Sequence, residues 1–174
     1  GVVEAHSRGM QVIFKLMPRP PQWWEDKNLP GQPALEHMDE WRNFVQTVVE
    51  RVKGKIYAVE VDNEPDLSEW LHPGIPLEQG AELYHQLLKA AYQGVKTADP
   101  DCLVAALGVT TNDYYNDWPF CKAVLSKEPA LLELFTGHPY AFVRYIGPGK
   151  QAKTPEENDF FGLCKQSMEM LQSF

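Results

Sequence analysis

Residues 55–62, Lys55-Ile-Tyr-Ala-Val-Glu-Val-Asp62, form a short run of apolar and β-branched side chains that is typical of a buried strand. A segment with helical spacing of its apolar residues follows at Leu77–Ala98. A second apolar run, Leu103-Val-Ala-Ala-Leu-Gly108, comes directly after it. The order strand, helix, strand predicts a βαβ unit, in which the two strands run parallel and the crossover is right-handed.

The same alternation extends from this unit toward both ends of the chain. Toward the N-terminus we expect a strand at residues 10–17, a long loop from Arg19 to His37 and a helix from Met38. Toward the C-terminus we expect helices at 117–127 and 129–133, a strand at 134–140 and a final helix at 155–171. Thr154 and Glu157 form a capping box at the start of that last helix.

Four strands that alternate with helices fit two architectures. One is part of a (β/α)8 TIM barrel, with about four central βα units present as one domain over residues 1–174. The other is a complete flavodoxin-like α/β protein, with a doubly wound sheet that binds a phosphate-bearing ligand at a strand end. The chain contains no GxGxxG or Walker A sequence, which disfavours the phosphate-binding alternative.

Composition narrows the possible partners. The chain has 174 residues and a formal net charge of −8, so we do not expect it to bind nucleic acid, whose phosphates favour a basic surface. No apolar run approaches the ~18 residues of a membrane span, so no membrane partner is expected either.

Cys102, Cys121 and Cys164 are far apart and form no metal-binding motif, which favours ordinary thiols. The first residues resemble the interior of a helix rather than a natural start, and the cellular location is therefore left open.

Polar and aromatic residues gather just after each predicted strand. The sharpest example is Asn63-Glu64-Pro65, where the proline turns the chain away and leaves a carboxylic acid at the strand end. In a barrel these strand ends converge on the face that carries active sites. The alternative interpretation is an ordinary turn with a solvated acid.

Strand alternation places Glu60, Asp62 and Glu64 on one face of the sheet. Neighbouring like charges and partial burial both raise a carboxyl pKa, and a general acid must hold its proton near neutral pH. Asp66 is expected to be a solvated loop acid.

Glu60-Val-Asp-Asn-Glu-Pro-Asp66 resembles the fourth-strand signature of the clan A retaining glycoside hydrolases, which are (β/α)8 barrels. The likeness is nearest to the xylosidase and iduronidase branch, followed by the cellulase-like branches. Three other stretches agree in order: residues 9–24 resemble the third strand and its loop, residues 84–100 the helix before the fifth strand, and Thr136-Gly-His-Pro-Tyr140 the sixth strand.

The resemblance implies a role for each matching residue. Glu64 would be the acid/base, and Asn63 would hydrogen-bond the sugar 2-hydroxyl group. His138 and Tyr140 would line the sugar subsite, while Trp23 and Trp24 would stack on a pyranose face or plug the barrel mouth. The substrate would be a β-linked glycoside, hydrolysed with retention, and no metal or organic cofactor is implied.

One element of the family pattern has no counterpart here. Retaining hydrolysis needs a second carboxylate about 5–5.5 Å from the first, and in the family it follows the seventh strand. The chain ends at Phe174, near the end of the region that resembles the sixth helix, so we expect the nucleophile to lie outside it. The remaining barrel segments or a second copy would close the fold, and a carbohydrate-binding pseudoenzyme is the alternative function.

Overall fold

The computed structural model describes residues 1–18, 25–26, 29–33, 35–66, 75–110, 118–138 and 160–174. Apart from a pair of short strands that follows the first strand, helices and strands alternate along this part of the chain, with single 3-10 turns at Leu35–His37 and Pro129–Leu131. In chain order the elements are α1 (Val2–Ser7), β1 (Ile13–Leu16), β2 (Glu25–Asp26), β3 (Leu29–Pro33), α2 (Met38–Arg51), β4 (Ala58–Val61), α3 (Leu77–Ala98), β5 (Leu103–Thr110), α4 (Pro119–Leu125), β6 (Leu134–His138) and α5 (Phe160–Leu171).

Four of the strands form one parallel sheet in the order β1-β4-β5-β6. The register aligns Phe14 with Val59, Val59 with Val104, and Ala106 with Phe135. The predicted α/β class and the predicted parallel pairing are therefore confirmed. Each strand of this sheet lies beside the next one along the chain, whereas a doubly wound sheet reverses direction within its strand order.

The hydrophobic core lies between this sheet and the helices. Val59 and Val61 belong to the core together with Tyr84 and Leu87 of α3, so alternate residues of β4 point toward the helices. Glu60 therefore points to the opposite face of the sheet, where it is 9% exposed. A strand covered on both faces explains why the run from Ala58 to Val61 is almost wholly apolar.

The helices pack beside one another in chain order, α2 on α3 and α3 on α4. A close approach between α2 and α3 occurs at Gly94, where a Cβ atom would lie 2.6 Å from the carbonyl oxygen of Arg42. Trp41 of α2 is buried and donates its indole N–H to the carbonyl oxygen of Leu87, at 3.1 Å. These contacts hold α2 and α3 against each other within the helical layer.

The sequence prediction missed one element. The segment expected to be a loop, residues 19–37, contains a two-stranded antiparallel ribbon formed by β2 and β3. Pro30, Gly31 and Pro33 lie within β3, and these residue types are depleted in strands, so composition concealed it. Of the predicted final helix, residues 155–159 with the Thr154 cap lie outside the described residues. None of the helices in the described part of the chain combines the length and apolar composition that a membrane span needs.

Candidate active site

A glutamate and a histidine meet at the carboxyl ends of the strands. Nδ1 of His138, the last residue of β6, lies 2.8 Å from Oε1 of Glu64, which follows β4. Their side chains are 26% and 19% exposed, so both reach solvent while most of their surface is covered. The strand between them is β5, and the contact therefore spans its end. The structure thus brings together two of the residues that the sequence singled out.

The backbone after β4 is bent to present Glu64. Asp62 and Glu64 both have positive φ angles, 68° and 51°, a conformation that costs a non-glycine residue about 1–3 kcal/mol. The N–H of Glu64 donates a hydrogen bond to the carbonyl oxygen of Gly108 in β5, at 3.1 Å. Because the neighbouring strand holds this turn, the strained conformation is maintained, and such strain is found most often at functional sites.

The prediction that Glu60, Asp62 and Glu64 lie on one face of the sheet is wrong because of this turn. Strand β4 ends at Val61, and Asp62 already has the left-handed conformation. The alternation that would place Asp62 and Glu64 on the same face as Glu60 therefore stops before it reaches them. Glu60 and Asp62 are nevertheless both buried, whereas Glu64 is partly exposed.

A bulge in β5 shapes the other side of the turn. Leu107 has a φ of 81° and Gly108 a φ of 42°, and the pairing with β6 shifts between Ala106 and Val109. Such bulges re-aim the chain and are over-represented next to active sites. A hydroxyl group from β6 supports this bulge: Thr136 Oγ1 accepts the N–H of Gly108 at 3.1 Å and donates to the carbonyl oxygen of Ala106 at 2.9 Å.

Tyr84 of α3 supports the same bulge from the helical side. Its hydroxyl group donates to the carbonyl oxygen of Val61 and accepts the N–H of Leu107, both at 2.9 Å. The side chain is completely buried, and burial raises the pKa of the Tyr84 phenol well above its usual value. The phenol is therefore neutral and keeps the proton that it donates. A single buried hydroxyl thus satisfies a carbonyl group at the end of β4 and an N–H group of β5.

Asp66 does not behave as the expected solvated acid. It is 2% exposed, and its carboxylate accepts the N–H of Thr110 at 3.0 and 3.1 Å and the Thr110 hydroxyl at 2.7 Å. A buried carboxylate needs such donors, because an unpaired charge in the interior is very costly. Asp66 thereby fastens the end of the Asn63-Glu64-Pro65 turn to the end of β5.

Lys15 of β1 reaches the same turn from the other neighbouring strand. Its Nζ atom donates to Oδ1 of Asn63 at 2.7 Å and lies 3.3 Å from Oε2 of Glu60. Lys15 and Glu60 are register partners in the sheet, so the ion pair is a direct cross-strand contact. The side chain of Asn63, the residue before Glu64, is therefore held by the ammonium group of Lys15. The sequence prediction did not consider Lys15.

Three predicted ligand-binding residues, Trp23, Trp24 and Tyr140, lie outside the described residues. Sequence reasoning missed Lys15, Thr110 and Tyr84. Lys15 and Thr110 could have been identified as candidates from the sequence, since both are polar residues at or near the ends of apolar strands. Tyr84 could not, because a tyrosine on the apolar stripe of a helix is indistinguishable from an ordinary core residue.

Two cavities lie away from these residues. One, of about 280 Å³, is lined by residues that precede β1 and β4, among them Gly9, Met10 and Tyr57, and so opens at the opposite end of the sheet. The other, of about 490 Å³, lies between the residues before β6 and the last helix, and Leu132, Phe135 and Leu171 line it. Within the described ranges, no cluster of His, Cys, Asp and Glu side chains has the arrangement needed to hold a metal ion.

Comparison with known proteins adds no family to these observations. Neither a protein-family model nor a curated protein matches the chain.

Proposed function

We propose that this chain is the central part of the (β/α)8 barrel of a retaining glycoside hydrolase, with Glu64 as the acid/base. The observation that carries the proposal is the 2.8 Å contact between Glu64 and His138. The two residues were selected from separate motifs, 74 positions apart, and the fold brings them to one strand end. A half-buried carboxyl group with a hydrogen-bonding partner at such a position is suited to exchange a proton with a ligand.

The order of the strands supports a barrel over an open doubly wound sheet. In a barrel, successive parallel strands are neighbours and the helices form one outer layer. The order β1-β4-β5-β6 and the packing of α2, α3 and α4 in series agree with that arrangement. A flavodoxin-like sheet would reverse its strand order, and these four strands contain no reversal.

In the proposed reaction, Glu64 first protonates the oxygen of the leaving group of a β-linked glycoside. It then removes a proton from the water that hydrolyses the covalent intermediate, so that the anomeric configuration is retained. Asn63 would donate to the 2-hydroxyl oxygen, a contact that strengthens in the transition state. His138 would orient the Glu64 carboxyl group, and the nucleophilic carboxylate would come from outside residues 1–174.

The test measures both catalysis and binding. Hydrolysis of 4-nitrophenyl β-xyloside, β-glucoside and β-galactoside would be followed for the wild type and for Glu64→Gln, with sodium formate added as an external carboxylate in place of the nucleophile proposed to lie outside residues 1–174. Glu128→Gln is the matched control, because it removes a carboxylate that pairs with Lys89 away from the strand ends. Chemical-shift changes of the Glu64, Asn63 and His138 amides on addition of the same glycosides would report binding.

Loss of hydrolysis in Glu64→Gln alone would support the proposal. Glycoside binding at these amides without hydrolysis would favour the carbohydrate-binding pseudoenzyme. Hydrolysis that persists in Glu64→Gln, or the absence of both hydrolysis and shift changes, would refute the role given to Glu64.

A further inference from the structure

We propose that Lys15 is a positioning residue for Asn63, and that it fixes the Asn63 carboxamide with its NH2 group as the only part presented to a ligand. The proposal rests on the proposed function for the nature of that ligand, a glycoside. The orientation itself is a property of the protein and can be tested without a substrate.

The chemistry of the contact determines the orientation of the amide. The Lys15 ammonium group has three N–H donors and no acceptor, so the carboxamide atom 2.7 Å from it must be the oxygen Oδ1. A flipped amide would place two donors against each other. The Asn63 NH2 group then has no partner among the described residues, and this group is left to meet an acceptor on a bound molecule.

The position of the ammonium group is itself fixed by the sheet. Lys15 and Glu60 lie opposite each other in the register of β1 and β4, and the Glu60 carboxylate is mostly buried. With Oε2 only 3.3 Å from Nζ, the carboxylate holds the ammonium group beneath the turn. Removing a partner from a buried charge is costly, so this ion pair resists rearrangement. The ammonium group that binds the Asn63 carboxamide is therefore held in place by Glu60.

The expected consequence is a preference at one position of the sugar. An NH2 group donates only, so it favours a hydroxyl or ether oxygen and gains nothing from a hydrogen atom at the same carbon. A glycoside with a 2-hydroxyl group would benefit from the positioned donor, and a 2-deoxy glycoside would not. Removal of the Lys15 ammonium group should therefore lower the affinity or the kcat/KM for the 2-hydroxyl glycoside and leave both values unchanged for the 2-deoxy glycoside.

The first experiment measures the motion of the Asn63 side chain in the intact chain. The heteronuclear NOE of its NH2 group, assigned by its loss in Asn63→Asp, would be compared in the wild type, Lys15→Met and Lys15→Arg. We expect a restrained NH2 group in the wild type, a mobile one in Lys15→Met, and partial recovery in Lys15→Arg, which restores a donor. An equally restrained NH2 group in the wild type and in Lys15→Met would overturn the proposal.

A second variant keeps the test decisive even where Lys15→Met alone does not fold. Lys15→Met leaves Glu60 without its cation, so Lys15→Met/Glu60→Gln removes both charges and keeps the residues similar in size. A mobile Asn63 NH2 group in this folded double variant would support the proposal, and a restrained one would refute it. A purely structural Lys15 would instead lower stability while the NH2 group stayed restrained.

The second experiment compares 4-nitrophenyl β-xyloside and β-glucoside with their 2-deoxy counterparts, by kcat/KM or by affinity. For the 2-hydroxyl substrates, Lys15→Met should lose about threefold to tenfold, the effect of one hydrogen bond, and the 2-deoxy substrates should be unaffected. Equal losses on both substrate types would contradict the specificity inference. A chain that neither binds nor hydrolyses glycosides would refute the proposed function, while the NMR result would still decide the role of Lys15.

Discussion

His138 Nδ1 and Glu64 Oε1 are 2.8 Å apart, and the state of each group limits the state of the other. An ionised carboxylate only accepts hydrogen bonds, so an ionised Glu64 requires the proton of the neutral imidazole to be on Nδ1. A protonated Glu64 could instead donate to Nδ1. The His138 tautomer therefore reports which of the two groups holds the shared proton.

We expect the neutral His138 ring to carry its proton on Nδ1 at pH 7.5, because the proposed nucleophile, whose negative charge would favour a protonated Glu64, lies outside residues 1–174, and Glu64 is then the acceptor. Long-range 15N–1H spectra of the imidazole ring distinguish the two tautomers directly. In Glu64→Met, which removes the acceptor, the Nδ1–H form should lose its advantage. His85 on α3 is the internal reference, since a change at Glu64 should leave its spectrum unaltered. An Nε2–H tautomer in the wild type would show that Nδ1 accepts rather than donates.

Tyr84→Phe should destabilise the protein by about 1–3 kcal/mol in the free energy of unfolding. The substitution leaves the buried N–H of Leu107 and the carbonyl oxygen of Val61 without the hydroxyl group that satisfies both. Urea unfolding followed by circular dichroism measures the effect. Tyr92→Phe, on the same helix but only half-buried, should change stability by much less. Equal effects of the two substitutions would show that the bridge contributes nothing specific.

Gly94→Ala should also destabilise, although alanine normally favours a helix over glycine by up to about 1 kcal/mol. A Cβ atom at this position would lie 2.6 Å from the carbonyl oxygen of Arg42, so α2 and α3 would have to separate. Overpacking of this kind costs about 1–3 kcal/mol, more than the gain in helix propensity. Thermal unfolding should show a lower Tm for Gly94→Ala, whereas Gln93→Ala, on the exposed side of α3, should show little change.

Acid should selectively weaken the contact between α3 and the segment that follows α4. The hydrogen bond from Lys127 at 2.6 Å, aided by one from Gln86, lowers the pKa of Glu82 below its ordinary value of 4.5. A carboxyl group with a lowered folded-state pKa stabilises the protein above its unfolded pKa and loses that contribution as the pH falls through the folded value. Because both partners of the pair are partly exposed, the contribution should be small.

The measurement is the unfolding free energy of the wild type and of Glu82→Gln from about pH 6 to about pH 3. We expect the wild type to be the more stable near pH 6 and the two proteins to converge toward the acid end. Glu36→Gln, which changes an exposed glutamate, should show no such convergence. A constant difference between the wild type and Glu82→Gln over the whole range would contradict the ion-pair explanation.

The sequence by itself determined the layered α/β architecture. Apolar runs at Ala58–Val61 and Leu103–Thr110 and the 3.6-residue period of Leu77–Ala98 are local signals, because burial selects residues along one strand or one helix face. The Asn63-Glu64-Pro65 turn was visible for the same reason, since proline and a strand end are recognisable without knowledge of their neighbours.

Only the tertiary structure decided which groups meet Glu64 and its neighbours. The contacts of Glu64 with His138, of Asn63 with Lys15 and of Asp66 with Thr110 join residues 74, 48 and 44 positions apart. Such contacts depend on strand order and register, which are set by the packing of the whole sheet rather than by any short segment. For the same reason the sequence predicted a solvated Asp66, whereas the structure buries this side chain at the end of β5, where Thr110 donates hydrogen bonds to its carboxylate.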